Sequence, residues 1–184
     1  IKYPIMKRIF STFFVLMLTT LASQHFCFAQ TPVTTWDFET VKNKSAIEES
    51  TGIADTIEGN FELAEGVVGK GLRLDGFTTR VIRKGKDIKK PGTGFTIEAW
   101  VSLGEYPVNW CPVITTESAE PKGYRLLIGP YGQISFETAV SEQWISCTSA
   151  NEMIPLRKWM HIAGVYTAQK EMALYVNGEP VSTA

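Results

Sequence analysis

Carboxylates set the first chemical test in this sequence. A retaining glycosidic displacement needs two carboxyl groups about 5–5.5 Å apart, so a strand that performs it must carry acidic side chains on one face. Glu98 stands alone on its strand, and Glu105, seven residues on, has the opposite parity. Glu48, Glu49, Asp55 and Glu58 fall in a polar stretch with no strand-like alternation. The two-carboxylate geometry is therefore missing, and no catalytic residue is assigned. Nucleophilic catalysis fares no better: past the first thirty residues the only histidine is His161, which leaves no Ser-His-Asp grouping. His161 alternates with apolar positions, and without co-ligands nearby it reads as a structural histidine bonded to backbone.

The aromatic residues offer a binding chemistry instead. Flat aromatic faces stack on the apolar C–H faces of sugar rings, and their N–H or O–H tips bond hydroxyls. Trp110 and Trp144 flank loops, and Tyr131 tops a Gly129-Pro130-Tyr131-Gly132 turn. These three are the candidate carbohydrate-binding residues, although core packing is an equal reading for the two tryptophans. Trp36, Trp100 and Trp159 lie inside strand patterns and read as core.

The elements that must position these residues begin after a leader. Met6-Lys7-Arg8 is a basic start, Ile9 to Ala22 is apolar and uncharged, and Cys27-Phe28-Ala29 provides small residues for a cut before Gln30. Residues 1–29 read as an upstream extension plus a secretory signal peptide, too short for a membrane span. The expected localisation is export, to the periplasm, cell surface or exterior. Loss of Lys2, Lys7 and Arg8 lowers Lys+Arg from 18 to 15 against 19 Asp+Glu, a net charge of −4 with no basic patch that would suit nucleic acid. Cys111 and Cys147 remain, an even number in an exported chain, and both fall at strand ends. A disulfide between them is expected, and it would hold Trp110 and Trp144 side by side. Two unpaired, buried cysteines are the other reading.

Strict alternation identifies the strands. Phe95, Ile97, Ala99, Val101 and Leu103 share one face, with Thr96, Glu98, Trp100 and Ser102 on the other. Met160, Ile162, Gly164 and Tyr166 share a face, as do Met172, Leu174 and Val176. Asn177-Gly178 predicts a type I′ hairpin, because both central residues need positive φ, and a strand running back from it. Further strands are expected at Thr34–Phe38, Phe61–Val68, Leu72–Leu74, Thr79–Arg83, Pro112–Thr116, Tyr124–Ile128, Gln133–Val140 and Gln143–Thr148. Residues 40–60 read as a long surface loop. No run carries helical spacing with caps. Many short strands between turn residues mean an antiparallel sandwich or barrel.

Four segments then carry a resemblance. Trp159-x-His161-x-Ala163-x-Val165-Tyr166 followed by Leu174-Tyr175-Val176-Asn177-Gly178, Phe95 to Val101, Gly71 to Gly76, and Trp36-Asp37-Phe38 resemble, in order, the strands of LamG-like jelly-roll domains of the concanavalin A-like lectin/glucanase superfamily. The resemblance covers Thr34 to the end. It implies an all-β, two-sheet antiparallel jelly roll over residues 30–184, expected to lack its closing strands. The Glu-x-Asp-x-x-Glu motif of the glucanases is absent. The resemblance thus implies a non-catalytic module for an oligosaccharide or polysaccharide, of the kind attached to secreted glycoside hydrolases. A protein-interaction or adhesion module of laminin-G type is the rival. Calcium is common in such domains, and Asp37 and Asp75 are the acidic residues within the matching segments.

Overall fold

Apolar alternation of period two turns almost the whole chain into short strands. The structure is a computed structural model that describes residues 32–85, 92–116 and 121–184. The leader expected over residues 1–29 lies outside the described residues. The strands in chain order are β1 (Val41–Lys42), β2 (Ser45–Ile47), β3 (Ala54–Glu58), β4 (Phe61–Glu65), β5 (Lys70–Leu74), β6 (Arg80–Ile82) and β7 (Phe95–Val101). They continue with β8 (Cys111–Thr115), β9 (Tyr124–Ile128), β10 (Ile134–Val140), β11 (Gln143–Thr148), β12 (Met160–Tyr166), β13 (Met172–Val176) and β14 (Glu179–Thr183). No α-helix occurs among the described residues. All pairings are antiparallel, in sheets ordered β1-β2-β3-β6, β11-β10-β9-β8 and β14-β13-β12-β7, plus the β4–β5 hairpin. This is the all-β jelly-roll sandwich expected, with sheets that remain open.

The core lies between the second and third of these sheets. Leu126, Ile134, Phe136 and Cys147 come from one, Ile162, Met172, Leu174 and Val176 from the other, and Ile154 from the loop between β11 and β12. Phe95, Ile97, Ala99 and Val101 pack against them from β7. Gly164 permits a close approach of the two sheets: a methyl built there would lie 2.4 Å from the ring of Phe136. The sheet C-terminal to this point is fastened by the expected hairpin, with Asn177 at φ 51° and Gly178 at φ 83°. A Gly164→Ala protein should lose about 1–3 kcal/mol through overpacking, read as a lower urea midpoint. An unchanged midpoint would contradict the close contact.

The N-terminal third departs from the sequence expectation in two places. Thr34–Phe38 is not a strand. Phe38 turns to φ 59°, in the left-handed region, and the Asp37 carboxylate accepts from the Glu39 N–H at 3.0 Å, so the chain bends where an extended run was expected. Residues 40–60 are not a long loop but contain β1, β2 and β3. The alternation was hidden because β3 points a carboxylate inward: its buried residues are Asp55 and Ile57. Asp55 receives Arg83 Nη2 at 2.6 Å and the Trp36 indole N–H at 2.6 Å. Arg83 also approaches Glu48 at 3.6 Å and lies 5.0 Å over the Trp36 ring. Glu48 is fully buried and accepts from the backbone N–H groups of Thr35, Ser50 and Thr51, each at 2.9 Å. A buried carboxylate survives only when its oxygens are filled in this way.

Burial alone would raise the Glu48 pKa. The donors Thr51, Thr35 and Ser50 outweigh it and hold the carboxyl down, from 4.5 to about 2. A depressed folded pKa gives stability that is complete above the unfolded value and is lost as pH falls toward the folded one. Thermal melts should therefore show a falling midpoint between about pH 4.5 and pH 2, and Glu48→Gln should flatten that fall. A midpoint that falls equally in both proteins would remove Glu48 as the cause.

Candidate functional site

Two parities share each sheet, and the site belongs to the outward one. On the β8–β11 sheet Phe136 faces the core, so Ser135, Glu137 and Ala139 face away from it. Register places Arg125 opposite Glu137, Trp144 opposite Ala139, and Thr148 opposite Ser135. Arg125 is ion-paired to Glu137 through Nη2. Its guanidinium carbon lies 3.9 Å over the Trp144 ring, within cation–π range. Ser135 and Thr148 share a hydroxyl hydrogen bond of 2.8 Å. Among the described residues, Arg125 Nε is the buried side-chain nitrogen without a hydrogen-bond partner. An Arg–Glu pair, an indole and the exposed Thr148 hydroxyl thus line one sheet face, with Ser135 buried beside them. The charges neutralise each other, which leaves an amphipathic surface rather than an anion or cation trap.

The three predicted aromatic residues are not one cluster. Trp110 precedes β8 and lies against Gly129, where a methyl would meet its ring at 3.0 Å. Tyr131 stands in the next turn, 63% exposed, its carbonyl receiving the Glu152 N–H at 2.8 Å. These two share one end of the sandwich. Trp144 is near the other end: from Ile134 to Ala139 along β10 is five residues, about 17 Å.

The disulfide expected between Cys111 and Cys147 does not exist, as both are free thiols. Cys111 pairs with Ile128 on β9 and Cys147 with Phe136 on β10. They occupy opposite edges of a four-stranded sheet, three strand spacings or about 14 Å apart. A disulfide tolerates Cα separations up to about 6.8 Å. Strand ends are close only between neighbours, and two strands intervene here. The anchor supposed to hold Trp110 beside Trp144 is therefore absent.

The acidic residues read as calcium ligands have other partners. Asp75 clamps its own turn, accepting from the N–H groups of Phe77, Thr78 and Thr79 at 3.0, 2.8 and 3.0 Å. The hydroxyl and backbone donors of Thr78 and the N–H of Phe77 push its pKa far down. Asp37 is exposed and caps the Glu39 N–H. Among the described residues no group of three or more His, Cys, Asp or Glu side chains is placed to hold a metal.

His161 is not a core residue bonded to backbone. It lies on the outward face of β12, with Nε2 at 3.4 Å from Glu98 and its ring 5.2 Å from that of Trp100. Trp100 and Trp159, read as core, are 52% and 40% exposed. The Arg125–Glu137 pair was missed altogether. A signal existed: Arg125 lies four residues before and Glu137 five residues after the Gly129–Gly132 turn, and they carry opposite charges, which favours a cross-strand pair.

The comparisons with known proteins agree with this architecture. Residues 78–184 match a laminin-G family model described as the concanavalin A-like lectin/glucanases superfamily. The chain belongs to that superfamily. No curated protein matches it. Among solved structures it is similar to the binding domain of Paraclostridial Mosquitocidal Protein 1, at 13% identity and a TM-score of 0.61, over 78% of this chain and 38% of that one. It is similar to the binding domain of Botulinum Neurotoxin DC in complex with SialylT, at 14% identity and 0.54, over 78% and 37%. An S-layer domain-containing protein from Clostridium thermocellum aligns at 22% and 0.51, over 82% and 71%. The superfamily chain thus spans well under half of the two toxin binding-domain chains. At these identities the likeness concerns the fold. No helix among the described residues is long and apolar enough to cross a membrane.

The cysteines give a direct check on this sheet order. Iodoacetamide applied to the native, unreduced chain should label exposed Cys111 and spare buried Cys147 until denaturant is added, as read by peptide mapping. A cross-linked peptide joining the two would overturn the strand order.

Proposed function

We propose that this concanavalin A-like chain is a non-catalytic carbohydrate-binding module that uses the outward face of the β8–β11 sheet. The observation that carries the reading is the Trp144 indole held under the Arg125 guanidinium at 3.9 Å, with Glu137 paired to the same arginine. One indole face is taken by the guanidinium and fixed in orientation. The other suits the C–H face of a sugar ring, and Glu137, Ser146 and Thr148 supply hydroxyl partners around it. Trp110 and Tyr131 extend the same chemistry to the end of the sandwich. Structural neighbours that are binding domains, one of them in complex with SialylT, support a binding role and add sialylated oligosaccharides to the ligands to be tried. The module's place, on this reading, is in an exported glycoside hydrolase or another polysaccharide-degrading system.

One observation favours a protein-interaction role instead. Around the β4–β5 hairpin Val68, Leu74 and Phe77 are 87%, 53% and 96% exposed, and exposed apolar groups of this size mark contact surfaces.

Affinity electrophoresis of the full chain in gels containing laminarin, xylan, pectin or a sialylated glycoprotein tests the reading. Trp144→Ala should weaken retardation by roughly three- to tenfold, the range for one lost aromatic contact. Retardation unchanged by Trp144→Ala would remove this face, and a chain that no glycan retards would remove the function.

A further inference from the structure

We infer that the outward face of β7, β12 and β13 is a second saccharide-binding face, on the opposite side of the sandwich from Arg125 and Trp144. The inference rests on the glycan-binding reading above and adds a contact which that reading does not need. Large indoles are normally drawn inward. Here Phe95, Ile97, Ala99 and Val101 occupy the core side of β7, and Trp100, between them, projects outward at 52% exposure. Trp159, just before β12, shares that parity and is 40% exposed, but its ring lies against Gly71 of β5, where a methyl would meet it at 3.4 Å, so Trp100 is the indole this face presents. The core is complete without the Trp100 ring, so core packing does not account for it.

Register arranges polar groups about the indole. Trp100 pairs with His161, Glu98 with Ala163, and Ala163 in turn with Tyr175. Glu98 and Tyr175 therefore stand on either side of Ala163, two strand spacings or about 9–10 Å apart. The small, buried Ala163 is the floor between them. The His161 ring is tilted 54° to the indole at a centroid distance of 5.2 Å and braces it from one side. His161 Nε2 lies 3.4 Å from Glu98 Oε2, so an imidazole stands beside the carboxylate. At 61% exposure Glu98 still turns its free lone pairs to solvent. An apolar plate ringed by a carboxylate, an imidazole and a phenol matches a neutral, hydroxyl-rich ring. Two such faces on opposite sheets would let one module touch two polysaccharide chains, or one chain at two places, and gain avidity without a new contact.

The experiment compares the full wild-type chain with Trp100→Ala, Trp100→Phe, Trp144→Ala and the double Trp100→Ala/Trp144→Ala protein. The readout is affinity electrophoresis in laminarin, xylan and pectin, with melting temperature as a fold control. Trp100→Ala should weaken retardation roughly three- to tenfold. Trp100→Phe should recover most of it, and the double variant should lose more than either single one. Glu98→Gln, which keeps the size and shape of the side chain, should also weaken retardation and serves if Trp100→Ala melts early. If Trp100→Ala and Glu98→Gln both run as wild type while Trp144→Ala does not, the second face is overturned and the first stands. If Trp144→Ala runs as wild type while Trp100→Ala does not, the second face stands and the first is overturned. If no polysaccharide retards the wild-type chain, both readings are overturned.

Discussion

The fold depends on one close contact between two sheets, Phe136 on β10 against Gly164 on β12. A side chain at Gly164 would occupy the space of the ring, since its Cβ would lie 2.4 Å away. Phe136 is fully buried, with the Phe95 ring edge-on at 6.0 Å. Phe95 also contacts Tyr124 and Tyr166 at 5.2 and 5.7 Å, so one aromatic cluster ties β7, β9, β10 and β12 together. Removing such a ring from a core costs about 3–5 kcal/mol, a large share of the roughly 5–15 kcal/mol by which domains are stable. Once these strands are fixed face to face, the alternation along each decides which side chains are available for binding.

The N-terminal sheet is held by a different physics. Asp55 is an inward position of β3 and Glu48 is buried just after β2; the two carboxylates are tolerated because Arg83 approaches both and the N–H groups of Thr35, Ser50 and Thr51 bond Glu48. Such a cluster adds little net stability compared with apolar residues of the same size, but its loss would strand a buried charge. It therefore fixes the sheet in one arrangement more than it strengthens it. The price is sensitivity to acid, because protonating Glu48 removes what its donors hold.

The side-chain groups on the outward faces are a matter of parity and sheet order. Trp144 gains its meaning from Arg125, two strands away across the β8–β11 sheet, and Trp100 gains its meaning from His161 and Glu98. Each group pairs residues far apart in sequence and adjacent in register. The sandwich presents them back to back, on the two surfaces its core does not use.

Much of this was legible in the residues themselves. Period-two alternation located β7 and β9 to β14 to within a residue or two, and Asn177-Gly178 specified its hairpin, because backbone sterics and one-sided burial act locally. The superfamily was readable for the same reason: its signature is a run of alternating core positions. Sequence did not reveal β3, where Asp55 breaks the apolar alternation and is compensated by Arg83, 28 positions away. It did not separate Trp110 from Trp144, nor Cys111 from Cys147, since the order of strands in a sheet is set by long-range packing and not by proximity in the chain. It also sent Trp100 and Trp159 to the core as large aromatics inside strands, and read His161, without co-ligands, as a structural histidine bonded to backbone. Alternation assigned them to one face of a strand, but only the stacking of one sheet on another determined which face was inside.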